Sequence, residues 1–274
     1  MAQNKIVVEL QGGLGNQLFG WAAGYVLSRK LECDLFLDCS QLSSRGFQLG
    51  QFEFSRELHY MENRGGWLKK VSDKIKYEVF EEQSHNFDTR FESIQTPVIL
   101  RGYFQSWRYH APLESELYSK VATLVEESVQ LKSLQNQFEF SECIAIHVRR
   151  GDYKDLQMVH GIIESSYYRR ALEEMFGIFQ GRLPYVVFSD EPYEAQSVIP
   201  GALAYIGPED LHSPAENMVL MAKCKGLIGA NSSFSLWAGL IMNPKIKTRI
   251  FPKSWFTDKM ISDKDIVPNH FIRI

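Results

Sequence analysis

The sequence predicts an α/β protein built as two Rossmann-like halves facing a central cleft, and three features point that way. Apolar, β-branched runs of strand length alternate with stretches of helical periodicity, the pattern of parallel strands joined by crossover helices. Most of these runs end in Gly, Asn, Asp or Ser, the residues that open turns and cap helices. The alternation starts twice, at KIVVEL (5–10) and at CIAIHV (143–148), with the polar stretch 130–142 between the two starts. A single doubly wound sheet fits this spacing less well. The expected domains are 1–135 and 136–274, with a last helix free to pack back on the first.

In chain order, KIVVEL leads into a glycine loop and a helix from about Gln17 to Arg29. CDLFLD (33–38) reads as the next strand, whereas 41–100 shows only mixed loop and helix signals. Residues 112–135 have helical spacing, with Leu113, Leu117, Val121, Leu124 and Val125 on one face. Further strands are expected at CIAIHV, PYVVFSD (184–190), ALAYIG (202–207), GLIGA (226–230) and TRIFP (248–252).

The 274 residues are 45% apolar and 23% charged, an ordinary globular balance with enough apolar material for a sizeable core. A net charge of −3 gives no global basic field, so nucleic acid is not an expected partner. A local anion site needs only a few well-placed donors and stays open. MAQNKIVVEL reads as a strand rather than a signal peptide, because its apolar run stops at Glu9. No stretch approaches the ~18 uninterrupted apolar residues of a membrane helix. Cys33, Cys39, Cys143 and Cys224 lack metal-ligand spacing and read as reduced thiols. A cytoplasmic protein is expected, with peripheral attachment to the inner membrane left open.

Ligands of open α/β sheets bind beyond the carboxyl ends of the strands, which selects four segments. Gly12-Gly13-Leu14-Gly15-Asn16-Gln17 follows the first strand and opens a helix, so its N–H groups can approach an anion. It lacks the third glycine of a dinucleotide fingerprint and the ending of a Walker A loop; a tight turn that needs glycine is the plainer reading. His147-Val148-Arg149-Arg150-Gly151-Asp152-Tyr153 ends an apolar strand in two arginines, whose guanidinium forks match phosphate oxygens. Its plainer reading is surface arginines paired with nearby acids. Ala230-Asn231-Ser232-Ser233-Phe234 supplies a helix start whose hydroxyls and N–H groups can cap or cradle phosphate. Ser189-Asp190 puts an acid at a strand end, to bind a hydroxyl or to cap. Ser213-Pro214-Ala215-Glu216 has capping-box spacing, which makes Glu216 structural. No metal site is expected: Asp263-Lys264-Asp265 follows no strand, and the seven histidines form no ligand cluster.

Read in order, these segments resemble glycosyltransferase family 11, the α-1,2-fucosyltransferases. Gly12 to Phe19, Gly102-Tyr103-Phe104-Gln105-Ser106, the HVRRGDY run His147–Tyr153, His160-Gly161 with Tyr167-Tyr168, and Ala230 to Ser235 all match motifs of that family. The matches span nearly the whole chain. The resemblance implies a GT-B-like fold, an N-terminal half that binds most of the acceptor and a C-terminal half that binds GDP-β-L-fucose. It implies inverting, metal-independent transfer to the 2-hydroxyl of galactose, with no cofactor beyond the donor substrate. The acceptor would be a galactose-containing oligosaccharide or lipid-linked glycan.

Carried over, Arg149 holds the β-phosphate, His147 lies near the nucleoside, Ser232 and Ser233 cradle the diphosphate, and Asn16 faces the fucose or the β-phosphate. The candidate donor-binding set is Gly13, Gly15, His147, Arg149, Arg150, Asp190, Asn217, Asn231, Ser232 and Ser233. The candidate catalytic set is Arg149 and Asn16 with Asp152, Asp155 and His160, any of which could be the general base. Tyr103 and Trp107 are candidates to stack on acceptor sugars or to form a buried aromatic core. Two departures stand out: Asn217 replaces an aspartate that contacts guanine, and Leu236-Trp237 replaces a Trp-Trp pair. The alternatives are another nucleotide-sugar glycosyltransferase, a Rossmann-type oxidoreductase on the first glycine loop, or a glycan-binding module using Arg-Gly-Asp.

Overall fold

The computed structural model of the protein describes residues 4–42, 46–61, 77–151, 161–243 and 248–274. The chain forms two compact units, Met1–Thr123 with Lys264–Ile266, and Leu124–Asp263 with Val267–Ile274. Each holds a sheet whose strand pairings, among the described residues, are all parallel.

In the first unit β1 (Lys5–Glu9), β2 (Asp34–Asp38), β3 (His59–Met61), β4 (Glu78–Glu81) and β5 (Val98–Arg101) lie in the order β3-β2-β1-β5-β4. Helix α1 (Leu14–Leu31) packs on β1 and β2. Leu14, Leu18, Phe19, Trp21, Ala22, Ala23 and Leu27 are all buried, so α1 is apolar nearly all round, as a helix inside a core must be. The short α2 (Glu114–Val121) is this unit's other α-helix among the described residues.

The second unit contains β6 (Ile144–Val148), β7 (Tyr185–Ser189), β8 (Ala204–Ile206), β9 (Gly226–Ile228), β10 (Thr248–Phe251) and β11 (Ile272–Arg273). They lie in the order β11-β10-β9-β6-β7-β8. Counted from β6, this is the 3-2-1-4-5-6 arrangement of dinucleotide-binding sheets, with the order reversing between β6 and β9. Its helices are α3 (Val129–Gln137), α4 (Ser165–Ile178), α5 (Pro192–Val198), α6 (Pro214–Lys223) and α7 (Ser233–Ile241). Ile144, Ile146 and Val148 are fully buried against Tyr168, Ala171 and Met175 of α4. Each such aliphatic side chain contributes roughly 1.5–3 kcal/mol on burial.

The structure departs from the sequence expectations in four places. α1 begins at Leu14 rather than Gln17, because the loop before it is closed by the Gln17 side chain. Gln17 Nε2 donates to the carbonyls of Gly12 (3.0 Å) and Gly46 (2.9 Å), and its Oε1 accepts the Gln48 N–H at 2.9 Å. The helical stretch expected at 112–135 breaks after Val121, leaving Val125 40% exposed. A new helix starts at Val129, where Ser128 Oγ accepts the Leu131 N–H. Glu216 fixes that start, its carboxylate accepting from Ser128 N (2.7 Å) and Oγ (3.0 Å). The polar stretch 130–142 is thus mostly α3, with Leu131 and Phe140 buried. The featureless stretch 41–100 supplies β3, β4 and β5. The last stretch, 248–274, contains strands and no helix.

Candidate active site

In the second unit the order reversal gathers two of the four selected segments. Ile146 and Ile228 are partners in the β6–β9 ladder, so both strands leave the sheet on the same edge. One continues into Arg149-Arg150-Gly151, the other into Gly229-Ala230-Asn231-Ser232 and α7. The His147 ring lies 5.6 Å from that of Phe234, in the first turn of α7. His147 is buried, and that burial, with the Arg149 charge beside it, pushes its pKa down to about 3. It is therefore a neutral imidazole, and its Nδ1 has no hydrogen-bond partner among the described residues.

Asp190, just past β7, holds the loop after β6. Its Oδ1 accepts the Arg150 N–H at 2.9 Å; its Oδ2 accepts the Gly151 N–H at 3.0 Å and lies 3.0 Å from Arg149 Nη1. A Cβ at position 151 would stand 2.7 Å from that Oδ2, so the close approach requires glycine. Arg149 keeps 21% of its side chain exposed, against 8% for Arg150. Arg150 Nε is buried without a hydrogen bond among the described residues, with Glu194 at 3.9 Å. A guanidinium presents five N–H donors in a fixed fork, so an arginine can be oriented by a carboxylate and still address phosphate.

At α7, Ser232 occupies the N-cap position without a side-chain capping bond, beside the first-turn N–H groups that no helix satisfies internally. Ser233 opens the helix. Asn231 Nδ2 donates to the Trp255 carbonyl at 3.1 Å, which anchors the turn. Tyr167 of α4, through its hydroxyl, fixes the Gly229 carbonyl at 2.8 Å. Leu236 and Trp237 are both fully buried, so the Leu-Trp departure falls in the core. Asn217 lies one turn into α6, which packs along α7; its Nδ2 donates to the Ser213 carbonyl at 3.3 Å. Asp152, Asp155 and His160 lie outside the described residues.

The first unit has its own reversal, at β1, with β2 on one side and β5 on the other. Loop 10–13 leaves β1, and Gly102–Ser106 leaves β5. Gln105 Nε2 donates to Asn16 Oδ1 at 2.9 Å and so joins the two motifs. Gly13 is the extended N-cap residue of α1, and Gly15 is buried in its first turn. Tyr103 is 39% exposed, whereas Phe104 and Tyr109 are buried. Glu82, just past β4, accepts the Tyr103 and Phe104 N–H groups at 2.9 Å each through Oε2. Gln17 belongs to a segment that the sequence singles out, although its loop-closing bonds show only in the structure. Glu82 carries no sequence signal of function, and strand adjacency alone reveals it.

Two other acids are committed elsewhere. Asp265 Oδ2 accepts the Phe87 N–H at 3.1 Å in the first unit. Asp263 Oδ2 accepts the Trp255 N–H at 2.6 Å and pairs with Arg273 at 2.7 Å in the second. Among the described residues no helix is long and apolar enough to cross a membrane.

Comparison with known proteins agrees with this architecture. The chain is similar to the O-antigen biosynthesis glycosyltransferase WbnK of Escherichia coli, with 27% identity over 90% of this chain and 93% of the relative. It is similar to an α-1,2-colitosyltransferase of Escherichia coli, with 25% identity over 98% of each. The crystal structure of fucosyltransferase NodZ from Bradyrhizobium shares its GT-B-like fold (TM-score 0.52, 14% identity, 88% of this chain and 94% of that one). The family model for glycosyl transferase family 11 matches residues 2–273. With both sheets, their motifs and that match in place, the chain belongs to glycosyltransferase family 11.

Proposed function

We propose that this chain transfers L-fucose from GDP-β-L-fucose to the 2-hydroxyl of a galactose-containing glycan, with inversion and without a metal ion. The observation that carries this reading is the β6–β9 reversal point, flanked by the arginine loop and by the uncapped serine start of α7. Dinucleotide-type sheets bind diphosphates at that position. The second unit is the donor side and the first takes most of the acceptor.

Arg149 holds the β-phosphate, and Arg150, Asn231, Ser232 and Ser233 complete the cradle with the first-turn N–H groups. Neutral His147 lies against the nucleoside, where it adds no charge of its own. Asp190 acts through the loop that it pins. Asn217 meets the guanine edge with its amide. Gly13, Gly15 and Asn16 let the start of α1 face the sugar.

As the acceptor oxygen forms its bond to the anomeric carbon, the bond from that carbon to the phosphate oxygen breaks and GDP carries the charge away. Donors waiting at the leaving oxygen stabilise that charge, by about 3–4 kcal/mol for a strong one. The hydroxyl proton passes to a general base drawn from Asp152, Asp155 and His160.

A second reading changes only the sugar: the resemblance to a colitosyltransferase over the full chain favours a donor lacking the 3-hydroxyl of fucose. The O-antigen glycosyltransferase relative supports an O-antigen unit as the acceptor; a cytoplasmic site of action, attached peripherally to the inner membrane, is part of the same proposal. The test offers fucosyl and colitosyl donors with lactose and N-acetyllactosamine, with and without EDTA. GDP release and an α-1,2-fucosyl product, both insensitive to EDTA, are expected. Preference for the colitosyl donor selects the second reading, and loss of activity in EDTA overturns the metal-free mechanism.

A further inference from the structure

Glu82 combines features that the donor chemistry does not use. Its Oε2 sits on two consecutive N–H groups, those of Tyr103 and Phe104, while its Oε1 is buried without a hydrogen bond among the described residues. Gly102 makes this seat possible: at φ 151°, a Cβ there would lie 2.5 Å from Glu82 Cβ and 2.8 Å from Oε2. Phe104 is held at φ 52°, a left-handed conformation that a bulky residue keeps only where its surroundings impose it. The next residue, Gln105, makes the bond to Asn16, and Tyr103 is the exposed aromatic of the loop.

The geometry points to Glu82 as a positioning residue: a latch that seats the Gly102–Gln105 loop, and through it Gln105 against Asn16, and that loosens when the carboxyl group ionises. The functional half of this inference rests on the reading of the first unit as the acceptor side.

Burial pushes the Glu82 pKa up to about 7, with the Asp88 charge adding to it; the two N–H groups and the Tyr109 hydroxyl oppose the rise. Cations on the surrounding elements are engaged elsewhere. Arg90 is bonded to Asp88 through Nε at 3.0 Å, Arg101 to Glu9 at 2.8 Å, and Arg108 faces Asp265 at 3.8 Å. The largest influences on Glu82 are its burial, the two loop N–H groups, the Tyr109 hydroxyl and the Asp88 charge. The sign follows from linkage. The seated carboxyl holds its proton up to about pH 7, whereas a solvated glutamate releases it near 4.3. A rise in pH through that window therefore favours the state with fewer protons, which is the unseated loop.

Two readouts on the full chain test the latch. The first is amide protection of Tyr103 and Phe104, referred to the unstructured chain at each pH. It is expected to fall several-fold between pH 6 and 8.5 in the wild type and to stay constant in Glu82→Gln, whose neutral amide oxygen accepts the same N–H groups. The second is the KM for lactose at saturating GDP-fucose. It is expected to rise several-fold over the same range in the wild type, with kcat moving less, and to stay low and flat in Glu82→Gln. PH-independent protection, or an equal slope in the variant, overturns the latch. Changing protection with a flat KM overturns the positioning role. A protein that ignores lactose but shows the protection change keeps the latch and counts against the proposed function.

Discussion

The two units use the same device at the same place and finish it differently. In each, a carboxylate just past one strand reaches across to the loop after the neighbouring strand and accepts two consecutive N–H groups. Asp190 does this for Arg150 and Gly151, and Glu82 does it for Tyr103 and Phe104. In each, a glycine makes room for the acid, with a Cβ at 151 or 102 standing 2.7 or 2.5 Å from the acid's side chain. The difference is the counter-ion. Asp190 has the Arg149 guanidinium at 3.0 Å, while Glu82, half-buried, has no ion-pair partner among the described residues and is governed chiefly by its burial. A compensated carboxylate makes a permanent brace and aims an arginine. An uncompensated one makes a brace whose strength depends on its proton.

The largest effect that probes this comparison belongs to Asp190→Asn. The substitution keeps the shape but sets an amide NH2 against one loop N–H and removes the charge opposite Arg149. Charged hydrogen bonds contribute about 1.5–3 kcal/mol, so GDP affinity is expected to fall roughly 10- to 100-fold in calorimetry. An unchanged affinity would separate the loop from the donor. Next come Gly151→Ala and Gly102→Ala, each forcing a carboxylate off its seat at a cost of about 1–3 kcal/mol. The first is expected to weaken GDP binding about tenfold with the lactose KM unchanged, and the second to do the reverse. If both variants shift the same constant, the two loops do not serve separate substrates. The smallest effect is that of Asn217→Asp, which restores charge assistance to a guanine contact and is expected to tighten GDP binding a few-fold. Equal or weaker binding would remove Asn217 from the base pocket.

What could be read from the sequence follows from how strands announce themselves. β6, β7 and β9 are buried on both faces, so each is a contiguous apolar run, and the motifs at their ends stood out with them. β3 and β4 are short edge strands; in β4 only Phe80 is buried among exposed neighbours, so no period could show. The break after Val121 was hidden because apolar spacing continues through Val125, and Glu216, which starts the next helix, lies far along the chain. The roles of Asp190, Glu82 and Gln105 depend on which strands are neighbours. Asp190 looked like a ligand or a cap, and only the pairing of β6 with β7 shows it bracing the arginine loop. Likewise β4 follows β3 in the chain but pairs with β5, a placement no local pattern encodes.

The most direct test is GDP titrated calorimetrically, in EDTA, into the wild type and into Arg149→Ala, with folding of the variant confirmed by its thermal transition. The wild type is expected to bind one GDP per chain without a cation, and the variant to bind it at least tens-fold more weakly, for the loss of about 2–4 kcal/mol from a strong charged donor. Equal GDP affinity in the two folded proteins, or a wild type that binds only when a divalent ion is supplied, would contradict the arginine-based site.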